Sequence, residues 1–274
     1  MQRSTKIVAT LGPASSNITV LTRMLSAGVD VVRLNFSHGT AEDHERRVQM
    51  LSDVMRSLGR TVGIMADLQG PKIRIGKLAG SKIELKTGQS FILDAECQLG
   101  DQTRVGLDYP ELVQDVEPGN VLLLDDGRIV LDVERVEYDE IHTRVRHGGE
   151  LSNNKGINRQ GGGLSAPALT HKDMDDIKLA AALHVDFVAV SFPNSGADMR
   201  LARELLRNAR SDALLIAKIE RAEAIGALSD ILHASDGVMV ARGDLAVEVG
   251  DAAVPALQKR MIHTAREHNK LTIT

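Results

Sequence analysis

Short apolar runs alternate along most of the chain with longer stretches in which apolar residues recur every three or four positions. The short runs are typical of buried parallel strands, and the longer stretches are typical of the helices that connect such strands. In the first part of the chain the pattern predicts strands at Lys6–Thr10, Val29–Leu34 and Val62–Ala66. The helices between them place apolar residues on one face, at Ile18, Leu21 and Leu25 and at Val48, Leu51, Met55 and Leu58.

The ends of these two helices are marked by residues that favour helix boundaries. Gly28 is expected to end the first helix. The segment Thr40–Asp43 is a good start for the second, because the Thr hydroxyl and the Asp carboxylate can bond backbone amides that have no helical partner.

The pattern changes between about Pro71 and Pro167, where apolar residues alternate in twos. Within this stretch, Asp126-Gly127 predicts a tight hairpin turn between Leu122 and Val130. We therefore predict a small all-β domain inserted into the parent fold. Its flanks, Gly70-Pro71 and Gly161–Gly163, have the composition of hinges. The alternating positions are Ile83, Leu85, Phe91 and Leu93, followed by the run Val121–Leu124.

From Thr170 onward the helix and strand rhythm resumes. A closed barrel of parallel strands and crossover helices needs eight strands. Outside the inserted segment, seven strand starts can be counted along the chain, three before it and four after it. The predicted fold is therefore α/β, a truncated (β/α)8 TIM-type barrel with an inserted small all-β domain. The barrel domain would comprise residues 1–70 and 168–274, and the β-barrel lid domain would comprise 71–167. The later strands are predicted at Asp186–Val190, Leu214–Ile219, Gly237–Ala241 and Leu271–Thr274, and the helices at Thr170–Leu183, Ala197–Ala209, Ala222–Ala234 and Val254–His268.

Composition narrows the function classes. The 274 residues are 43% apolar, which is enough for a large core, and neither a long apolar span nor a signal-peptide core is present. A net charge of -4 and an aromatic content of 2% argue against nucleic-acid binding. A single cysteine, Cys97, suits a reducing compartment. We expect a cytoplasmic protein that binds neither nucleic acid nor membrane.

Charged residues lie where four of the predicted strands end. They are Arg33 at the end of the second strand, Asp67, Lys72 and Arg74 at the third, Lys218 and Glu220 at the fifth, and Arg242 and Asp244 at the sixth. Catalytic groups of such barrels lie where strands end, so these residues are candidates for one site. Each has an ordinary structural alternative: Ser37 or Asp244 could cap a helix, and Lys218 could simply pair with Glu220.

The mixture of charges indicates the chemistry. Glu220 and Asp244 have no His or Cys beside them, so they form a hard oxygen site suited to Mg2+ or Mn2+. Arg33, Arg74 and Lys218 could meet an anionic substrate. The set favours phosphoryl transfer or an enolate intermediate, since both need cations around growing oxygen charge.

Five motifs resemble the pyruvate kinase family, in order and at matching separations. They are Thr5–Ala14, Val32–Gly39, Asp67–Arg74, Lys218–Glu220 and Met239–Leu245. The resemblance covers the whole chain. It implies transfer of the phosphoryl group of phosphoenolpyruvate to ADP, giving pyruvate and ATP in glycolysis. It also implies a homo-oligomer, a homotetramer in the full-length family, with a C-terminal domain that this sequence lacks.

The resemblance also implies residue roles. Arg33 and Lys218 would be catalytic, with Gly243 and Asp244 also binding substrate, and Glu220 with Asp244 would hold Mg2+. At a helix start, Gly243 and its neighbours would offer amides to a carboxylate. The nucleotide-binding positions would be Asn35, Ser37, His38, Arg74 and Lys155.

Two departures from the family pattern carry expectations of their own. Members that need K+ hold it at positions matching Asn35, Ser37, Asp67 and Leu68, and they tend to carry Glu where this chain has Lys72. The Lys72 ammonium would replace the ion, so K+ is not expected to be required. The chain also stops short of the family's next signature, and Thr274 does not match its substrate-contacting threonine.

Two other functions stay open on the sequence alone. One is another Mg2+-dependent barrel enzyme that handles pyruvate enolates, such as an aldolase or a lyase. The other is a catalytically incomplete pyruvate kinase fragment that only binds metal and phosphates.

Overall fold

The computed structural model of the protein describes residues 3–274 and arranges their strands in three sheets. The first part of the chain contains β1 Val8–Leu11, a 3₁₀ turn at Pro13–Ser15, α1 Ile18–Ala27, β2 Val31–Asn35, α2 Ala41–Leu58 and β3 Gly63–Asp67. The middle contains β4 Lys82–Leu85, β5 Ser90–Asp94, β6 Arg104–Val105, α3 Leu112–Asp115, β7 Val121–Leu124, β8 Ile129–Glu137, β9 Glu140–His147, β10 Gly149–Ser152 and β11 Ile157–Arg159. The last part contains α4 His171–Ala182, β12 Phe187–Val190, α5 Gly196–Asn208, β13 Leu214–Ile219, α6 Ala222–Gly226, α7 Leu228–Ala234, β14 Gly237–Val240, α8 Arg242–Val249, α9 Val254–Glu267 and β15 Leu271–Ile273.

Seven strands form one parallel sheet in the order β1-β2-β3-β12-β13-β14-β15. Every neighbouring pair in it runs parallel, and helices connect successive strands on either side of the inserted segment. The predicted α/β class is therefore confirmed. Among residues 3–274, β1 and β15 each pair with one strand only, so the sheet is open.

Strand side chains alternate between two environments, because successive residues of a strand point to opposite faces. On β13 the residues Leu215, Ala217 and Ile219 join the large core between sheet and helices. Ile216 instead packs on the other, concave face with Met65 of β3. The same alternation carries polar residues such as Lys218 to the concave face at the carboxyl ends of the strands.

The inserted segment has a core of its own. Six strands pair in the order β11-β7-β8-β9-β5-β6, and β4 pairs with β10 in a separate ribbon. The side chains between them include Phe91, Leu93 and Leu131, which are fully buried. The lid-domain boundaries at 71 and 167 stay a prediction.

Several local expectations are confirmed. Gly28 ends α1 in the left-handed conformation, with φ of 111°. The Thr40 side chain accepts a hydrogen bond from the Asp43 amide at the start of α2. The hairpin around Asp126-Gly127 joins β7 to β8, but its loop contains four residues, since Leu124 pairs with Ile129.

Other expectations are wrong in detail. Leu58 is 37% exposed, because it is the last residue of α2, whereas Val54, about one turn earlier, is buried. The single helix expected at Ala222–Ala234 is two helices, α6 and α7, which meet at Ala227. An additional helix, α8, follows β14 directly.

No helix within residues 3–274 combines the length and the apolar character needed to cross a membrane.

Gly70 marks the point where the chain leaves β3 for the inserted segment. Its φ is +69°, and its amide donates to Asp173 Oδ1 at 3.0 Å. A Cβ at this position would lie 2.7 Å from the Cβ of Ser191 and 2.9 Å from Cδ2 of Phe192. Both the backbone conformation and the close approach therefore require glycine.

We expect Gly70→Ala to lower the free energy of unfolding by roughly 1–3 kcal/mol, because the new methyl group overlaps Ser191 and Phe192. Gly226→Ala is the matched control, since a Cβ there meets no atom within 4 Å. Urea denaturation of both variants measures the effect. Equal midpoints would contradict the close packing of Gly70.

His44 of α2 is a buried ionisable side chain. It is 2% exposed, its ring centroid lies 4.4 Å from that of Phe36, and its Nε2 has no hydrogen-bond partner within residues 3–274. Burial lowers the pKa of His44 below its ordinary value of 6.5; Arg47 and Lys172 lower it further, and Asp43 opposes them. The folded protein therefore favours the neutral ring.

As the pH falls below 6.5, the unfolded chain takes up the His44 proton before the folded protein does, so stability decreases until the folded-state pKa is reached. We expect His44→Phe to lose less stability than the unmodified chain between about pH 7.5 and pH 5.5. Urea midpoints at the two pH values measure this. His263→Phe, at an exposed site, should behave like the unmodified chain; equal pH dependence in all three would contradict the prediction.

Candidate active site

A cavity of about 180 Å³ lies at the carboxyl end of the parallel sheet. Most of the residues predicted from the sequence meet here, although they come from four separate segments of the chain. Its lining consists of Arg33, Asn35, Ser37, His38, Asp67, Gln69, Lys72, Arg74, Phe192, Lys218, Glu220 and Asp244.

Lys218 lies at the centre of the buried part of this site. Its Nζ is 2.9 Å from Glu220 Oε1 and 3.1 Å from Asp67 Oδ1, and it donates a hydrogen bond of 2.6 Å to Ser191 Oγ. The Lys218 side chain is 10% exposed, and those of Asp67 and Glu220 are 1% and 2% exposed. The ion pair between Lys218 and Glu220 expected from the sequence is therefore present, within a larger cluster of charges.

The ionisation of the cluster reflects its burial. Burial alone would lower the pKa of Lys218, but the Glu220 and Asp67 carboxylates outweigh it and raise the pKa above its ordinary value. Burial raises the pKa of Glu220 to about 7, and Asp244 adds to the rise while Lys218 opposes it. Glu220 is therefore a carboxyl group whose ionised form needs more positive charge than Lys218 supplies.

Arg33 extends from β2 over the same face. Its Nε donates to Asp67 Oδ2 at 2.6 Å, and its Nη1 donates to Thr10 Oγ1 at 2.9 Å. The Arg33 side chain is still 27% exposed to the cavity. Its guanidinium is thus fixed on one edge while part of it faces the place where an anion could bind.

The loop after β2 lies against the end of β3. The Phe36 amide donates to the Asp67 carbonyl at 2.9 Å, and Asn35 Oδ1 accepts from the Ser37 amide at 3.0 Å. The Leu68 carbonyl accepts from Ser191 Oγ at 2.7 Å. Thr40, and not Ser37, caps α2, so the structural alternative for Ser37 is wrong.

A second cavity, of about 940 Å³, opens beside the first and separates α8 from the β7–β8 hairpin. Lys72 and Asp244 line both cavities, and their Nζ and Oδ1 atoms are 3.9 Å apart. Gly243 lines the larger one, in the first turn of α8. Within residues 3–274 the start of α8 has no side-chain capping hydrogen bond, and the Asp244 carboxylate lines both cavities.

Two predicted nucleotide-binding residues belong to the inserted segment, and only one of them reaches the small cavity. Arg74 lines it, and its Nη1 donates to the Asn154 carbonyl at 3.1 Å. Lys155 does not line either cavity, and its Nζ instead pairs with Asp125 Oδ1 at 2.7 Å.

The sequence analysis gave no role to Thr10, Ser191 or Phe192, which also belong to the site. The Phe192 amide donates to Glu220 Oε2 at 3.0 Å, and Phe192 itself has a φ of 54°, an unusual value for a residue with a side chain. All three lie at the carboxyl end of β1 or β12. The rule that selected the other strand ends would have selected these as well.

The donor set fits a divalent cation of the hard, oxygen-binding kind. Glu220 and Asp244 line one cavity, and the buried Asp67 Oδ1 faces Lys218 but accepts no hydrogen bond of regular geometry. The raised pKa of Glu220 points the same way, because a cation beside it would stabilise the carboxylate. Glu220 and Asp244 are therefore the residues that could hold Mg2+ or Mn2+.

Comparison with known proteins extends over nearly the whole chain. The family model described as the barrel domain of pyruvate kinase matches residues 2–274. This chain is 51% identical, over 99% of its length, to a pyruvate kinase of Haemophilus influenzae and to pyruvate kinase II of Salmonella typhimurium. A pyruvate kinase of Corynebacterium glutamicum is 43% identical over 100% of the chain.

These matches cover 58% of the length of each of the relatives, so the chain spans little more than half of them. The matched range, residues 2–274, contains the strands, the inserted segment and the residues that line the cavity. Both the family match and the geometry at the end of the sheet lead to the same conclusion: the chain belongs to the pyruvate kinase family.

Proposed function

We propose that this chain supports transfer of the phosphoryl group of phosphoenolpyruvate to ADP, the reaction for which its family is named. The observation that carries the proposal is the convergence of Arg33, Lys218, Glu220 and Asp244 on one cavity at the carboxyl end of the sheet. Family membership also supports a glycolytic role in the cytoplasm and assembly as a homo-oligomer, both of which are proposals.

Arg33 and the start of α8 are proposed to bind the substrate at its two ends. The exposed part of the Arg33 guanidinium can donate to phosphate oxygens, because Asp67 and Thr10 occupy only part of its donors. The amides around Gly243 have no partner earlier in α8 and can donate to the substrate carboxylate, where the helix dipole also favours an anion.

In the proposed step, a β-phosphate oxygen of ADP attacks phosphorus while the bond from phosphorus to the enol oxygen breaks. The leaving group is the enolate of pyruvate, which then takes up a proton at carbon. The Lys218 ammonium lies where charge grows on the transferring oxygens, and Asp67 and Glu220 hold it there. A divalent cation on Glu220 and Asp244 would add electrostatic stabilisation of the same oxygens.

The nucleotide is proposed to bind between the loop after β2 and the inserted segment. Asn35, Ser37, His38 and Arg74 line the cavity from these two sides. Lys155 would join them only after leaving Asp125, and closure of the predicted lid domain, residues 71–167, would bring it inward. Closure would also exclude water from the transferring phosphoryl group.

Lys72 is proposed to take the place of K+. Its ammonium lines the cavity together with Asn35, Ser37 and Asp67, and it lies 3.9 Å from Asp244. A fixed positive charge at this place offsets the carboxylates that a monovalent cation would otherwise neutralise.

A second candidate function is binding of metal and phosphates without turnover. The open seven-stranded sheet favours it, because the eight-stranded closure that supports the active face of such barrels is not present within residues 3–274. Pyruvate formation from phosphoenolpyruvate with ADP and Mg2+ separates the two candidates. ADP-dependent turnover supports transfer; binding of Mn2+ and phosphoenolpyruvate without turnover supports the second candidate, and absence of binding contradicts both.

We expect Lys218→Met to lower the rate of pyruvate formation by about 10²–10³-fold or more, because the charge that stabilises the transferring oxygens is lost. Mn2+ binding should stay nearly intact, since Glu220 and Asp244 are unchanged. Coupled-assay rates and electron paramagnetic resonance of Mn2+ measure the two effects. Lys178→Met is the control at an exposed position of α4, and retained turnover in Lys218→Met would refute the role of Lys218.

The rate of pyruvate formation should change little when K+ replaces tetramethylammonium. In Lys72→Glu, by contrast, K+ should raise the rate by about tenfold, which corresponds to about 1.4 kcal/mol of restored charge compensation. Lys77→Glu makes the same charge reversal at an exposed position and should stay independent of K+. A large activation of the unmodified chain by K+ would contradict this assignment.

A further inference from the structure

Arg221 is a buried cation with no role in the proposed chemistry. It follows Glu220 directly and is only 4% exposed. Burial lowers the pKa of Arg221, and Glu248 and Glu223 oppose this effect. A buried guanidinium is costly unless its donors are satisfied, so its partners indicate what it holds in place.

Two of the three hydrogen-bond partners of Arg221 lie in the return segment, residues 160–170, through which the chain passes from β11 to α4. Its Nη1 donates to the carbonyls of Leu164 at 3.5 Å and Ala166 at 3.4 Å, and to Asn194 Oδ1 at 3.0 Å. Its guanidinium carbon also lies 5.5 Å from the centre of the Phe192 ring. Phe192 is the residue whose amide donates to Glu220 Oε2.

Two glutamates bind the same return segment just before Leu164. Glu223 Oε1 accepts from the Gly163 amide, and the Glu248 carbonyl accepts from the Gly161 amide at 3.1 Å. Glu248 Oε2 accepts from the Ala222 amide at 2.8 Å, which joins α8 to the loop after β13. We call Arg221, Glu223 and Glu248 the hinge clamp.

The hinge clamp connects the return segment to both candidate metal ligands. Arg221 follows Glu220 in the loop after β13, and Glu223 belongs to α6, which begins just after this loop. Glu248 belongs to α8, which carries Asp244. Gly161, Gly162 and Gly163 all have positive φ, between 80° and 89°, so this stretch depends on glycine for its backbone conformation. The clamp thus holds a glycine-rich stretch, and glycine-rich stretches are flexible where no contact holds them.

We propose that Arg221 is a positioning residue, which couples the orientation of Glu220 to the position of the inserted segment by holding the return segment against the loop that carries Glu220. This inference rests on the proposed function, because Glu220 is assigned there as a metal ligand. Coupling of this kind is reciprocal: a cation that orders Glu220 also orders the hinge, and a hinge held in place favours the cation by the same factor.

Hydrogen exchange at Gly161 and Gly163 tests the hinge, and electron paramagnetic resonance of Mn2+ tests the metal site, both on the full chain. The variants are Arg221→Met, which removes the donors, and Arg221→Lys, which keeps the buried charge but lacks the planar guanidinium. Arg203→Met is the matched control. Arg203 also donates to a carbonyl, that of Ala213 at 3.1 Å, and pairs with Asp236, at the opposite end of the sheet.

We expect Mn2+ to slow exchange at Gly161 and Gly163 in the unmodified chain. In Arg221→Met, exchange should be about tenfold faster and no longer respond to Mn2+. Mn2+ affinity should fall about threefold to tenfold, the size expected for the net loss of one ordinary hydrogen bond. Arg221→Lys should lie between the two, and Arg203→Met should match the unmodified chain. If Arg221→Met fails to fold, Arg221→Lys alone decides by the same criteria.

The proposal would be overturned if the amides of Gly161 and Gly163 exchanged at the same rate in the Arg221 variants as in Arg203→Met. It would also be overturned if a variant with faster exchange at these amides kept its Mn2+ affinity. Failure of the unmodified chain to bind Mn2+ would instead refute the metal site of the proposed function. In that case the metal-free exchange rates still decide the clamp: faster exchange in Arg221→Met than in Arg203→Met supports it, and equal exchange overturns it.

Discussion

The pairing of Lys218 with two buried carboxylates constrains the whole carboxyl end of the parallel sheet. Asp67, Ser191 and Glu220 follow or end three different strands, β3, β12 and β13, and all three meet the same ammonium. A buried charge that loses its partner costs several kcal/mol, so these strands must keep their mutual register. A shift of β13 by one residue would turn Lys218 into the apolar layer beneath the helices. The arrangement of the cavity follows from this requirement.

Much of this architecture can be predicted because it depends on short-range periodicity. The alternation along β2 places Arg33 and Asn35 on the concave face and Val32 and Leu34 in the core, and the sequence displays it directly. Strand ends of a parallel sheet meet at one edge, which is why charges far apart along the chain could be assigned to one site. The family resemblance then supplied roles that periodicity alone left open between phosphoryl transfer and enolate chemistry.

The remaining features depend on contacts that periodicity does not encode. Lys155 could be placed in the inserted segment, but its pairing with Asp125 depends on the local path of the β7–β8 loop. The break between α6 and α7 falls at Ala227, directly after Gly226, but a glycine inside an apolar pattern does not by itself decide whether a helix ends there. In the sequence, Arg221 is one more charged residue after a strand. Two of its three partners are backbone carbonyls, which the pattern of side chains does not indicate.

The insertion between β3 and β12 also has a consequence for how the chain folds. Ile64 and Asp186, which are bonded across these strands, are separated by 122 positions along the chain. Within the insertion, Ile73 and Ile157 are already joined by a backbone hydrogen bond of 2.9 Å. If the inserted strands pair first, they shorten the loop that remains to be closed and lower its entropic cost by about 1 kcal/mol. An inserted segment that folds first thus brings the two halves of the parallel sheet close to each other before they pair.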